Sequence, residues 1–149
     1  MMLLAKLAAT VFGIGYVKKG GGTIASIVYC VIWYLAPAFS NTKQTLILLA
    51  VLIIGVWSGN VVEKEWGKDS SRVVIDEVAG MAIALLFIPV NLFNTIAALL
   101  LFRFFDILKP LGIKKAERLN SGWGVMADDV LSGIYSLILL KTAIIMNLI

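Results

Sequence analysis

Carboxylates concentrate in three short motifs of an otherwise apolar chain. The motifs are VVIDEVAGM, FRFFDILKP and GWGVMADDVLSG, and their acids are Asp76, Glu77, Asp106, Asp128 and Asp129. The chain has no histidine and one cysteine, Cys30, which lies in an apolar run. Carboxylate oxygens favour hard cations such as Mg²⁺, Mn²⁺ or Ca²⁺. The motifs therefore predict metal-assisted chemistry and exclude mechanisms that use a histidine or cysteine nucleophile.

Two basic residues accompany the acid of the second motif. Arg103, Asp106 and Lys109 follow one another at i, i+3 and i+6, which keeps neighbouring side chains within reach on a helix. Cationic side chains complement phosphate oxygens, and protein-bound Mg²⁺ is commonly held by one or two carboxylates together with a substrate phosphate. The combination predicts metal-assisted phosphoryl transfer, with an aspartate or a metal-activated water as nucleophile.

Each group of charges, taken alone, also has a purely structural explanation. Acids at a helix start are stabilised by the helix dipole, which would account for Asp128 and Asp129 if a helix begins there. Arg103 and Asp106 would form an ordinary ion pair. A carboxylate inside a membrane segment, however, costs about 2.5–3.5 kcal/mol. If the apolar runs beside these motifs are membrane segments, as argued below, five acids at one membrane face favour a functional site.

A glycine-rich segment near the N-terminus is a further candidate for phosphate binding. FGIGYVKKGGGTIAS places Lys18, Lys19 and Thr23 around three consecutive glycines, ahead of an apolar run. Glycine amides at a helix N-terminus can hold phosphate. The segment does not match the Walker pattern, and a flexible connector is the alternative.

The elements that must position these residues are strongly apolar. The chain has 149 residues, which predicts a single domain over 1–149; it is 60% hydrophobic and 15% charged, with mean hydropathy +0.97. Soluble domains contain about a quarter charged residues. Runs of the length of membrane helices cover 23–39, 45–62, 78–102 and 130–149. We predict an all-α integral membrane helical bundle; a soluble helical protein with a large core is the alternative.

The run 78–102 contains a signal for a break. Its centre, IPVNLFNT, carries Pro89, Asn91 and Asn94, and these residue types favour turns over helix interiors. We therefore predict two helices, over 72–89 and 94–108. The bundle then has about five membrane helices, preceded by an N-terminal amphipathic or re-entrant segment. Small residues at Gly55 and Gly59, and at Gly80 and Ala84, would let helices approach closely; the alternative is that they are simply residue types common in membrane helices.

The distribution of charge predicts how the bundle is oriented. With the run split, one side of the membrane receives 11 of the 13 Lys and Arg residues and all nine acids. The positive-inside rule makes that side cytoplasmic. We predict a multi-pass protein of the inner membrane with its site on the cytoplasmic face. The net charge of +4 is dispersed, which indicates anionic lipid headgroups rather than nucleic acid as partners.

Taken in this order, the motifs resemble the phosphatidylglycerophosphatase A family. The resemblance runs from about Gly13 to Gly133. The matching positions are Gly13, Gly15, Gly22, Thr23, Ser26, Ile75, Asp76, Glu77, Gly80, Met81, Phe102, Arg103, Asp106, Lys109, Pro110, Glu117, Gly122, Gly124, Val125, Met126, Asp128, Asp129 and Gly133. The chain departs from the family pattern at loop positions, namely Lys18, Gly21, Ala25 and Gly112.

The resemblance implies a membrane enzyme that uses Mg²⁺ to convert phosphatidylglycerophosphate into phosphatidylglycerol. It implies that the paired acids are catalytic and bind the metal: Asp76, Glu77, Asp128 and Asp129. Asp106 would be a further metal ligand. The expected substrate-binding residues are Arg103, Lys109, Thr23 and Lys19. Which acid, if any, attacks phosphorus stays open, as does the oligomeric state.

Two other functions suit a membrane protein rich in carboxylates. A phosphotransferase of the CDP-alcohol type would carry two spaced acidic pairs in a Gly- and Ala-Arg-containing motif, which this sequence lacks. A small cation transporter subunit would place its acids near mid-membrane, whereas these are predicted to cluster at one face. The lipid phosphatase is therefore the leading hypothesis.

Overall fold

Helices joined by turns and loops make up the residues that the structure describes. The structure is a computed structural model, and it describes residues 1–36, 39–68, 70–110, 112–116 and 122–148. Within these ranges a 3₁₀ turn covers Ile14–Tyr16 and the α-helices are α1 (Met2–Ala9), α2 (Gly21–Leu35), α3 (Asn41–Trp66), α4 (Ile75–Ala84), α5 (Leu92–Leu108), α6 (Ile113–Ala116) and α7 (Gly122–Ile145). The predicted all-α class is confirmed.

The helices α3 and α7 form a close antiparallel pair. Gly55 faces Met126, and Gly59, four residues further along α3, faces Gly122, four residues earlier in α7. A Cβ atom added at Gly59 would lie 3.1 Å from Cα of Gly122, so the two backbones touch where side chains are missing. The predicted use of Gly55 and Gly59 for close helix packing is confirmed.

The predicted break in the run 78–102 is present. Helix α4 ends at Ala84 and α5 begins at Leu92. The side chain of Asn91 accepts a hydrogen bond from the backbone N–H of Asn94 at 2.7 Å, and the Asn94 side chain donates to the carbonyl of Pro89 at 2.9 Å. Asn91 thus caps α5 by the usual mechanism of an N-cap residue.

Fewer helices than predicted have the length of a membrane crossing. Among the described residues, α3 with 26 residues and α7 with 24 are long and apolar enough. The shorter α2, α4 and α5 have 15, 10 and 17 residues. At 1.5 Å per residue these rise about 23, 15 and 26 Å, less than the roughly 30 Å of a hydrocarbon core. The expectation of about five crossing helices is therefore not met, and for α4 and α5 the reason is that the break near Pro89 divides the run 78–102 into two short helices.

The N-terminal helix α1 packs on α3 through its small residues. It buries Ala5 and Ala9 against α3 and exposes Leu3, Leu4 and Leu7. Its C-terminal end is tied to the start of α4, since the backbone N–H of Val74 donates to the carbonyl of Ala9 at 2.8 Å. This contact fixes the position of the VVIDEVAGM motif. Because both faces of α1 are apolar, the N-terminal amphipathic or re-entrant segment expected from the sequence stays a prediction.

Helix α4 lies at the centre of the fold. Seven of its ten residues are buried, and it packs against α7 through glycines. A Cβ atom at Gly133 would collide with the carbonyl of Gly80, and one at Gly80 would collide with the Phe102 ring. Ala84, the other small residue expected at a helix contact, is fully buried in the same core. This packing brings the first turn of α4 beside the N-terminal half of α7.

Candidate active site

Four parts of the chain enclose a polar cavity of about 290 Å³. They are the glycine-rich segment with the start of α2, the loop before α4 with its first turn, the end of α5, and α7. The lining residues are Val17, Lys18, Gly20, Gly21, Gly22, Thr23, Ser70, Ser71, Val73, Asp76, Glu77, Arg103, Asp106, Lys109, Asp128 and Asp129. The three acidic motifs and the glycine-rich segment therefore meet at one place.

The first turn of α4 presents Asp76 and Glu77, where the helix dipole favours acids. The backbone N–H of Glu77 donates to Oδ1 of Asp76 at 3.1 Å. Burial raises the pKa of both carboxyl groups, and the adjacent charge of Glu77 raises the pKa of Asp76 further. Oε2 of Glu77 is buried and has no hydrogen-bond partner in the described part of the chain.

The end of α5 contributes one acid and two cations. Nη1 of Arg103 lies 2.7 Å from Oδ2 of Asp106, one turn further along the helix. Lys109 follows the last residue of α5 and adopts a left-handed backbone conformation, with φ 45°. Its Nζ donates to Oδ2 of Asp128 at 2.6 Å, so it links α5 to α7. Both cations thus stand beside carboxylates of the cavity.

Asp128 and Asp129 do not begin a helix, contrary to the sequence prediction. Helix α7 begins at Gly122, so the pair lies about two turns inside it. Asp128 is 8% exposed and Asp129 is 3% exposed. The early start has a tertiary cause, because the N–H of Gly122 donates to Oδ1 of Asn60 on α3 at 2.7 Å. Capping by the helix N-terminus therefore does not explain the two buried aspartates.

The five predicted metal-binding acids come together as two overlapping groups. One carboxylate oxygen from each of Asp76, Glu77 and Asp129 lies within 4.8 Å of the others, and the same holds for Asp106, Asp128 and Asp129. Asp129 belongs to both groups. Among the described lining residues, five carboxylates face three cationic side chains, Lys18, Arg103 and Lys109. With all of these groups ionised, the cavity carries two surplus negative charges.

Of the two residues of the glycine-rich segment predicted to bind substrate, one lines the cavity and the other does not. Thr23 lines the cavity, as expected, but Lys19 is exposed and does not; Lys18 does instead. Gly22 lies against Glu77, and a Cβ atom there would collide with the Glu77 carboxylate.

Sequence reasoning missed Ser70 and Ser71, which also line the cavity. The sequence signal that could have found them was their hydroxyl groups, six and five residues ahead of Asp76. Glu117, part of the family resemblance, lies outside the described residues.

Comparison with known proteins gives consistent matches over nearly the whole chain. The family model described as phosphatidylglycerophosphatase A matches residues 7–144. A Bacteroides thetaiotaomicron protein, provisionally named phosphatidylinositol-3-phosphatase, is 44% identical over 94% of this chain and 93% of its own. No solved structure matches.

Two further relatives are named phosphatidylglycerophosphatase A. The Haemophilus influenzae protein is 36% identical over 89% of this chain and 83% of its own length. The Escherichia coli protein is 32% identical over 87% of this chain and 77% of its own. The match of the family model and the identity of these relatives agree with the phosphatase chemistry expected from the motifs. The chain belongs to the phosphatidylglycerophosphatase A family and is a phosphatase.

Proposed function

We propose that this enzyme hydrolyses phosphatidylglycerophosphate to phosphatidylglycerol and inorganic phosphate, with Mg²⁺, at the cytoplasmic face of the inner membrane. The observation that carries the proposal is the cavity of five carboxylates and three cations on an apolar helical scaffold. Such a cavity suits a charged headgroup whose acyl chains stay in an apolar environment. Family membership supports the lipid phosphomonoester substrate.

The donor set fits a divalent cation. Two groups of three carboxylate oxygens share Asp129, and Oε2 of Glu77 is buried without a hydrogen-bond partner in the described residues. Two surplus negative charges would repel a phosphate dianion unless a cation offset them. Mg²⁺ prefers carboxylate oxygens and, when bound, polarises phosphoryl oxygens and activates water. The residues that would hold it are Asp76, Glu77, Asp106, Asp128 and Asp129.

The chain's own residues would bind and orient the phosphate. Arg103 and Lys109 lie at the cavity wall and can turn from their carboxylate partners toward phosphate oxygens. The amides of Gly22 and Thr23, in the first turn of α2, add the positive end of a helix dipole. In the overall reaction water adds to phosphorus, the P–O bond to glycerol breaks, and the glycerol oxygen takes up a proton.

Two features support placement in a membrane with the site at its cytoplasmic face. The helices α3 and α7 are long enough to cross, and the shorter α2, α4 and α5 expose apolar side chains or form the core. Lys43 and Lys141 lie near the ends of α3 and α7 remote from the cavity, whereas most other cations lie toward the cavity end. The positive-inside rule then directs the cavity end to the cytoplasm.

The direct test measures phosphate release by the purified protein in detergent micelles that contain phosphatidylglycerophosphate. We expect hydrolysis with Mg²⁺ and none after treatment with EDTA. Release of CMP from a CDP-activated lipid, or metal flux into liposomes without phosphate release, would instead contradict a phosphatase acting on this lipid.

A second substrate is favoured by one comparison. The relative with 44% identity is provisionally named phosphatidylinositol-3-phosphatase, so phosphatidylinositol 3-phosphate is the alternative lipid phosphomonoester. The same assay with both lipids, compared by kcat/KM, decides between them. We expect the higher kcat/KM with phosphatidylglycerophosphate.

A further inference from the structure

An apolar groove of about 230 Å³ runs along the outside of the molecule between α2 and α5. Its walls are formed by Ile27, Val31 and Tyr34 of α2 and by Leu92, Ile96 and Leu99 of α5, which we call the α2–α5 groove. Most of these side chains are two-fifths or more exposed. The groove presents no polar surface, which suits a hydrocarbon chain.

The α2–α5 groove is in line with the polar cavity. Thr23 of the cavity precedes Ile27 of the groove by four residues, one helical turn and about 6 Å. On α5, Arg103 of the cavity follows Leu99 of the groove by the same interval. Both walls of the groove therefore lead into the cavity within one turn.

The other large apolar grooves lack this continuity. A groove of about 790 Å³ lies between α3 and α7, but no described residue of α3 lines the polar cavity. A groove of about 470 Å³ lies between α5 and α7, and its α7 wall begins at Leu139. That is ten residues, or about 15 Å, beyond Asp129. Of these three grooves, only the α2–α5 groove has a residue within one helical turn of the cavity on both of its walls.

We propose that the α2–α5 groove binds an acyl chain of the lipid substrate and so directs the phosphomonoester into the cavity. This inference rests on the proposed function and assigns the apolar half of that substrate to a specific surface. Residues such as Ile27, Ile96 and Leu99 then determine affinity for the diacyl lipid without touching the reacting phosphate.

The test narrows the groove and uses a matched control on the same helix. Ile96→Trp places a large ring in the α2–α5 groove, whereas Leu100→Trp places it in the α5–α7 groove. Both positions are exposed, Ile96 at 48% and Leu100 at 65%, so neither change disturbs the core. We expect Ile96→Trp to raise KM for dioleoyl phosphatidylglycerophosphate about 10-fold, the effect of misfit in an apolar site. Leu100→Trp should change it less than about 2-fold, as surface substitutions usually do.

The deacylated headgroup, glycerophosphoglycerophosphate, separates binding of the chain from chemistry. Its kcat/KM should be the same for wild type, Ile96→Trp and Leu100→Trp. Equal KM values of the two variants for the diacyl lipid, or an equal loss with the deacylated headgroup in Ile96→Trp, would overturn the proposal.

A second measurement does not depend on turnover. Phosphatidylglycerophosphate with a diazirine on one acyl chain is photolysed in micelles with the wild-type protein, and the labelled residues are found by mass spectrometry. Labels on Ile27, Val31, Ile96 or Leu99 support the proposal, and labels confined to α3 and α7 overturn it. If wild type hydrolyses neither phospholipid, the proposed function fails, while the labelling pattern still decides the groove.

Discussion

Asp129 is the residue on which the site depends most. It is almost fully buried and is the one described acid that belongs to both groups of carboxylates. Its neighbours in space come from three different helices, so a change in its charge affects every candidate metal position. The predictions at the scale of single residues therefore begin there.

Asp129→Asn should abolish most of the phosphatase activity. The amide keeps the size of the side chain but removes a negative charge shared by both carboxylate groups. We expect kcat/KM to fall more than about 100-fold, the upper end of what loss of an outer-shell partner of a metal costs. The measurement is phosphate release from phosphatidylglycerophosphate.

Glu65→Gln, a change in an exposed ion pair with Lys6, serves as the control and should keep full activity. Unchanged activity of Asp129→Asn would remove Asp129 from the site.

Two neighbouring lysines offer a matched pair. Lys18 lines the cavity and Lys19 does not, although both are exposed in the same loop. Lys18→Gln should raise KM about 2- to 5-fold, as expected for one exposed charge near an anion, and Lys19→Gln should leave KM unchanged. Steady-state kinetics at low salt measure both. A larger increase in KM for Lys19→Gln than for Lys18→Gln would instead support the substrate-binding role of Lys19 predicted from the sequence.

At the scale of elements, Gly22 at the start of α2 lies directly against the Glu77 side chain in the first turn of α4. A Cβ atom at Gly22 would collide with the Glu77 carboxylate, whereas one at Gly21 would meet its nearest atom at 3.4 Å, an ordinary contact distance. The two glycines are adjacent in the sequence and line the same cavity. They therefore separate the effect of crowding Glu77 from the effect of stiffening the loop.

Gly22→Ala should lower kcat about 100-fold, because displacement of a catalytic group by about 1 Å has effects of that size. Gly21→Ala should retain activity within a few-fold. Both variants are compared with wild type by phosphate release and by thermal unfolding. Equal activity of the two alanine variants would show that Glu77 adapts and that its position in the structure is not required.

The elements also show how far the sequence alone can predict this fold. The break at Pro89 and Asn91 was predictable, since both residue types act locally through backbone geometry. The start of α7 was not, because its first N–H is satisfied by Asn60, 62 residues earlier in the chain. Likewise, the sequence could not show that Lys18 rather than Lys19 lines the cavity, because the shape of the folded loop decides which lysine points inward. Gly20, between the lysines and α2, has φ 81° in that loop. Residue types predicted the chemistry, while long-range contacts decided which side chains reach it.

At the scale of the whole molecule, the cavity is a destabilising feature that a cation would relieve. When all of these groups are ionised, five carboxylates and three cations leave two surplus negative charges beside the buried centre of the fold. Their mutual repulsion lowers the free energy of unfolding, and ligands that bind only the folded state raise it.

Mg²⁺ should therefore raise the melting temperature of the purified protein. At a concentration 100 times its Kd, the cation adds about 2.7 kcal/mol to the free energy of unfolding. The measurement is thermal unfolding in detergent with and without MgCl₂, with Asp129→Asn as the comparison. The variant should show a smaller shift than wild type. An equal shift in both proteins would mean that Mg²⁺ binds elsewhere.

The position of Asp128 and Asp129 two turns inside α7 also has a consequence for biosynthesis. On the proposed membrane placement, α7 alone is a poor substrate for the insertion machinery, since each aspartate inside a membrane helix adds a cost that reaches about 2.5–3.5 kcal/mol at the helix centre. Arg103 of α5 and Lys109, the residue after α5, are synthesised earlier, and Lys109 pairs with Asp128 in the folded protein. These two cations are therefore translated before the acids of α7. When α7 inserts, it can pack against α5, where the cations offset the charge of its aspartates.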